Sequence, residues 1–196
     1  MPANAQANNP SFSRSKQFIA NAFILCGFLL FSLSLLHRYL RTQALTLDKE
    51  TVASIAAASY ETNKPRPIPV YVTLGSLIKA DVSTQVYTNG NWTIAEQGVS
   101  YLEQSARPGE QGNIILYGHN TKESLYQLKN VPNGATMSLR SEDGQEHLYT
   151  VTLRKIVSPS QIEFLQPSST EIVTIYTCIG PLDSKRLILQ AVPFNP

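Results

Sequence analysis

Nineteen consecutive uncharged residues, Phe18 to Leu36 (FIANAFILCGFLLFSLSLL), constrain this 196-residue chain more than any other feature. As an α-helix the run is roughly 28 Å long, close to the hydrocarbon thickness of a bilayer. Asn21, Ser32 and Ser34 are modest blemishes, since hydroxyls can bond back to helical carbonyls. A buried helix of a soluble protein and a cleaved signal peptide are the alternatives. The run exceeds a usual signal-peptide core, and no small-x-small cleavage site follows it closely. It reads as a transmembrane anchor over 18–36, after a short cytoplasmic tail over 1–17. Arg14 and Lys16 precede it and Arg38 and Arg41 follow, so the basic-residue count is a tie. The free amino terminus tips the balance towards a tail inside and a large C-terminal part outside.

Beyond the anchor, residues 37–66 read as a juxtamembrane stalk. Thr42 to Glu61 is Ala-rich and lacks Gly and Pro, with Val52, Ile55, Ala56 and Ser59 at helical spacing. Pro65, Pro67 and Pro69 then mark a boundary. The remaining stretch, 67–196, is long enough to bury its own core. Six segments rich in Val, Ile, Leu, Thr and Tyr read as strands: Val70–Leu74, Asn113–Tyr117, Ala135–Leu139, His147–Val157, Glu171–Cys178 and Arg186–Val192. Turn signals separate them at Asn89-Gly90, Pro108-Gly109, Pro132-Asn133-Gly134 and Asp143-Gly144. Two stretches read as helical, Thr93–Glu103 and Glu123–Leu128. The expected fold is mainly β and mostly antiparallel, and a closed barrel removes the edge strands most simply.

Sixteen basic against fourteen acidic residues, a net charge of +2, give no basic footprint for nucleic acid. The two cysteines, Cys26 and Cys178, fall in the anchor and in the soluble domain, so no disulfide between them is expected. If the domain faces the outside, Cys178 is a lone thiol where idle thiols are uncommon.

The last two strands place that thiol. Seven residues, IGPLDSK, separate EIVTIYTC from RLILQAV. Antiparallel pairing around this loop sets Cys178 opposite Arg186, Thr177 opposite Leu187, Ile175 opposite Leu189 and Val173 opposite Ala191. Alternation then gives Val173, Ile175, Leu187, Leu189 and Ala191 one apolar face, and Cys178 and Arg186 the other. A slip by one residue would bury Arg186. A fixed positive charge beside a thiol favours the thiolate, and a guanidinium fork can also reach a developing oxyanion. An inert buried thiol remains the other reading of the hairpin.

Two histidines lie in this domain. His147, in QEHLYTV, reads as an exposed surface residue. His119 closes the apolar run GNIILYGHN, at a strand end where a rigid sheet can present a catalytic side chain. A satisfied or surface histidine is its alternative. No zinc spacing, P-loop, G-x-G-x-x-G, HExxH or G-x-S-x-G pattern occurs, and no metal site is read.

GHN around His119, TIYTC ending in Cys178 and KRLILQA containing Arg186 together resemble the sortase family of membrane-anchored cysteine transpeptidases. The resemblance covers roughly 67–196. It implies an eight-stranded sortase-type β-barrel with short helices, carrying His119, Cys178 and Arg186 as catalytic residues. Thr177 matches the threonine before the nucleophile, and Ile175 stands where the family has leucine. Thr177, Ile162, Phe164 and Leu182 are candidate substrate-binding residues, core packing being the alternative for the last three. The segments 156–165 and 179–185 are candidate groove walls. A calcium site of the kind found in some sortases is not read in this sequence, and no cofactor is expected. The resemblance implies as partners secreted proteins with a C-terminal sorting signal and an amine acceptor on a peptidoglycan precursor or pilin lysine. It also supports an extracellular catalytic domain. A hydrolase using the same residues, and an inactive tethered barrel, are the rival readings.

Overall fold

The structure is a computed structural model and describes residues 11–45, 50, 53–55, 67–85 and 93–195. The chain divides into two compact units, 1–40 and 41–196. In the first, α1 begins; the helix as a whole runs Ser11–Leu45. Its stretch Lys16–His37 is long and apolar enough to cross a membrane, and none of it is covered by protein. Phe18, Phe23, Phe28 and Phe31 are all exposed, so the helix is apolar around its circumference, as a lipid-facing helix must be. The expected anchor at 18–36 lies inside this stretch. Of the expected stalk helix, Thr42 to Glu61, residues 46–49, 51–52 and 56–61 lie outside the described residues.

Eight strands in the second unit close into a barrel: β1 Pro69–Leu74, β2 Ile78–Gln85, β3 Val99–Leu102, β4 Gly112–Gly118, β5 Thr136–Ser141, β6 Glu146–Val157, β7 Glu171–Ile179 and β8 Lys185–Pro193. Around the barrel the order is β1-β2-β3-β4-β7-β8-β6-β5 and back to β1. Every neighbouring pair is antiparallel except β2 with β3 and β4 with β7. Closure leaves no unpaired edge for association. The barrel interior takes one face of each strand: Val72 and Leu74 from β1, Ile114 and Leu116 from β4, Val173 and Ile175 from β7, Leu187, Leu189 and Ala191 from β8. The interior faces expected for the last hairpin are therefore borne out, together with its register.

Two strands depart from expectation. Thr93–Glu103 is not helical; it is irregular up to Gly98 and then forms β3. The cause lies in the burial of both faces. Val99 and Tyr101 point into the barrel, Leu102 joins an apolar cluster on the other side, and all four residues of β3 are buried. A strand covered on both sides shows no apolar/polar alternation to betray it. Gly98 fixes its start: φ is +75°, and a Cβ there would lie 2.5 Å from the Asp81 carbonyl oxygen. The second, β2, reads IKADVSTQ, where only Ile78, Ala80 and Val82 face inward between polar neighbours. Its apolar face is too sparse to stand out. Glu123–Leu128 likewise forms no α-helix; a 3-10 turn spans Tyr126–Asn130. Burial raises the Tyr101 phenol to about 12, so it stays neutral within the interior.

Candidate active site

The outer face of β4, β7 and β8 carries a second apolar cluster: Ile115 and Tyr117, Tyr176 and Cys178, and Ile188, joined by Leu102, Val157 and Leu165. Ile94 and Phe164 pack against it from the sides. This surface follows from register. β4 and β7 run parallel with Ile115 beside Thr174 and Tyr117 beside Tyr176. β7 and β8 run antiparallel with Tyr176 opposite Ile188 and Cys178 opposite Arg186. Tyr117 and Tyr176 stack with ring centroids 5.5 Å apart. Burial raises both phenols above their ordinary 10.0; Tyr117 pushes Tyr176 up further, and Arg186 offsets part of the rise. Both are neutral, and they form a buried aromatic shelf in the cluster that holds Cys178.

Backbone register places the predicted catalytic residues near one end of this sheet. Cys178 and Arg186 are cross-strand partners, as the hairpin reading requires. Gly118 is paired with Thr177; His119 follows the last residue of β4, and Cys178 follows Thr177 within β7. The ends of three adjacent strands thus bring the backbone positions of His119, Cys178 and Arg186 to one end of the sheet. Cys178 is buried, at 2% exposure, while His119 and Arg186 are partly exposed. The Arg186 Nη1 donates to the carbonyl oxygens of Asp183, at 3.1 Å, and Lys185, at 3.4 Å. The guanidinium is therefore tied to the loop that follows the nucleophile.

Gly118 sets the position of His119. A Cβ on Gly118 would come within 2.5 Å of Ser124 Oγ and 3.3 Å of the Gly98 carbonyl oxygen, so the strand end sits where only glycine fits. Thr177 completes this joint. Facing the interior at 1% exposure, its hydroxyl donates to the Gly118 carbonyl oxygen at 2.7 Å. Thr177 thus couples β7 to the end of β4, and its hydroxyl is turned to Gly118 rather than towards the thiol's face.

The other predicted residues divide. Phe164 is partly buried against the outer cluster, with Lys155 Nζ 5.2 Å from its ring centroid. Ile162 begins the same 3-10 turn, Ile162–Leu165, and is also partly buried. Leu182 is 82% exposed in the β7–β8 loop, so core packing is excluded for it. It and Asp183 hold φ at +51° and +56°, a left-handed conformation costing roughly 1–2 kcal/mol for a residue with a Cβ. Strain of this kind, next to Cys178 and Arg186, persists where the surroundings over-determine the loop. His147 is partly buried in β6 beside Leu139, less exposed than its sequence context suggests.

Sequence reasoning missed the tyrosine shelf, Ile94 and Ile55. The shelf had a signal: the uninterrupted apolar run of β4, which needs cover on both faces. Ile55, counted with the stalk in sequence, is 4% exposed and belongs to the cluster that holds Cys178. No group of three or more His, Cys, Asp or Glu arranged to hold a metal occurs among the described residues.

Comparison with known proteins matches residues 77–194 to the sortase domain family. No curated protein matches the chain. Among solved structures, sortase C from Clostridium perfringens is 19% identical with a TM-score of 0.56, over 79% of this chain and 96% of that one. A lid mutant of sortase A from Corynebacterium diphtheriae is 16% identical with a TM-score of 0.57, over 81% and 96%. Sortase C1 from Streptococcus agalactiae is 20% identical with a TM-score of 0.56, over 78% and 94%. At such identities the likeness to these structures is one of fold. The family match spans more than half the chain, and with the apolar helix it makes the protein a member of the sortase family, a single-pass membrane protein whose barrel stands outside the cell.

Proposed function

We propose that the barrel is a cysteine transpeptidase that cleaves an LPxTG-like sorting signal between Thr and Gly and transfers the acyl part to an amine. Transpeptidation is the general activity of the family to which the chain belongs. The observation that carries the finer reading is the strand register, with Cys178 across from Arg186 and His119 one residue past the Gly118–Thr177 pair.

In the first half-reaction the Cys178 thiolate attacks the carbonyl carbon of the Thr–Gly bond. The C–N bond breaks, and His119, as imidazolium, gives its proton to the leaving amine. Arg186 stabilises the oxyanion with guanidinium donors, while its Nη1 bonds to Asp183 and Lys185 hold the fork in place. In the second half, an incoming amine loses its proton to His119 and attacks the thioester, and the C–S bond breaks to return the thiolate. Ile162 and Phe164 on one side, and exposed Leu182 on the other, are the side chains proposed to contact the apolar Leu and Pro of the signal. Thr177 acts through Gly118 to hold the strand end that carries His119. The acceptor is a cell-wall precursor or pilin amine. A membrane tether holds the enzyme near lipid-anchored substrates and raises their effective concentration.

Product analysis with a sorting-signal peptide tests the reading. Added primary amine is expected to yield a ligated peptide and to suppress the hydrolysis product in proportion. Cleavage whose products ignore the amine would identify a hydrolase instead.

A further inference from the structure

Behind the tyrosine shelf the outer face of the same three strands turns polar. Asn113 of β4 is buried at 4% exposure, Thr174 of β7 is fully buried, and Gln190 of β8, the cross-strand partner of Thr174, is partly buried. Polar side chains in such a place need partners, and all three find the same one. The carbonyl oxygen of Phe164 accepts from Asn113 Nδ2 at 3.0 Å, from Thr174 Oγ1 at 3.2 Å and from Gln190 Nε2 at 3.3 Å. Asn113 Nδ2 also donates to the Gln166 carbonyl oxygen at 3.0 Å, and Gln190 Nε2 to Thr174 Oγ1 at 3.2 Å. The segment gripped in this way has little regular structure of its own: a single 3-10 turn, Ile162–Leu165, with no side-chain cap from Gln161 at its start. Its hold on the barrel comes from these bonds and from Leu165 and Phe164 packed on the outer cluster.

We propose that Asn113, Thr174 and Gln190 are positioning residues that pin the backbone of residues 164–166 to the barrel, so that Ile162 and Phe164 form a groove wall already set before the sorting signal arrives. This rests on the reading of the groove given above. A wall ordered in advance spares the peptide the entropy of ordering it, so its benefit falls on binding. Loss of the pin therefore weakens peptide binding and leaves the bond-making residues as they are. Thr174 opens the TIYTC stretch, and this assigns it a mechanical role separate from that of the thiol four residues on.

Thr174→Val keeps the shape and removes the hydroxyl, Thr174→Ser restores it, and Gln190→Leu removes a second donor from a more exposed site. For Thr174→Val and Gln190→Leu the KM for a sorting-signal peptide is expected to rise about five- to tenfold, the worth of one hydrogen bond of roughly 1 kcal/mol or slightly more, with kcat within about twofold. Thr174→Ser should return KM close to the wild-type value. Amide hydrogen exchange of the free protein should quicken at residues 164–166 in both defective variants. Alkylation of Cys178 by a small electrophile should keep its rate, which separates this test from the nucleophile assignment. Unchanged KM with unchanged exchange at 164–166 would overturn the pin, as would a fall in kcat at constant KM. Should Thr174→Val not fold, the exchange and KM of Gln190→Leu decide.

Discussion

Cys178→Ala is expected to reduce both cleavage and transfer of a sorting-signal peptide by at least about three orders of magnitude, because the covalent intermediate has no other nucleophile. The side chain sits in the outer apolar cluster at 2% exposure, so truncation removes one sulfur from a packed site. The attendant loss of stability is expected to be about 1 kcal/mol, the size of a small core truncation. The thermal midpoint should fall by only a few degrees while activity vanishes, and that contrast separates chemistry from folding. Peptide binding should survive, since the groove walls belong to other segments. Retained cleavage in a folded Cys178→Ala protein would remove the nucleophile assignment and with it the two-step mechanism.

Arg186→Lys should be nearly as damaging to catalysis, at roughly 100- to 1,000-fold in kcat, the usual cost of a lost oxyanion donor. The substitution keeps the charge, so an argument from thiolate stabilisation alone would forecast a mild effect. Geometry forecasts otherwise. One nitrogen of the guanidinium is tied to the carbonyls of Asp183 and Lys185, which fixes the plane of the fork beside the thiol. A lysine has one nitrogen to serve both the loop and the oxyanion, on a stem with no fixed plane. The loop it would release holds Leu182 and Asp183 in left-handed conformations, so its relaxation would also move the proposed contact at Leu182. A kcat within a few-fold of wild type would show that Arg186 acts only as a charge.

Much of this was legible in the chain because the deciding features are local. The anchor is a single run of apolar residues, and the β7–β8 register follows from seven loop residues and strict alternation on either side. That alternation alone sets Cys178 against Arg186. His119 was harder, since no spacing in sequence says that β4 lies beside β7; the parallel pairing of Gly118 with Thr177 is a property of barrel closure. The same non-local closure hid β3, whose four residues are buried on both faces, and made Thr93–Glu103 look helical. The pin on the Phe164 carbonyl was invisible for a related reason. Asn113, Thr174 and Gln190 stand on three different strands, and their common target is a backbone atom, which carries no sequence signature. Thr177 shows the converse: motif likeness assigned it to the substrate, while alternation turns its hydroxyl inward to Gly118.

Intact-mass spectrometry of the protein, quenched in acid during turnover of a sorting-signal peptide, tests the central claim most directly. A covalent adduct with the mass of the peptide fragment ending at its threonine, mapped to Cys178 and discharged by added amine, is the expected result. Steady cleavage of the peptide with no adduct, or with an adduct on any other residue, would contradict it.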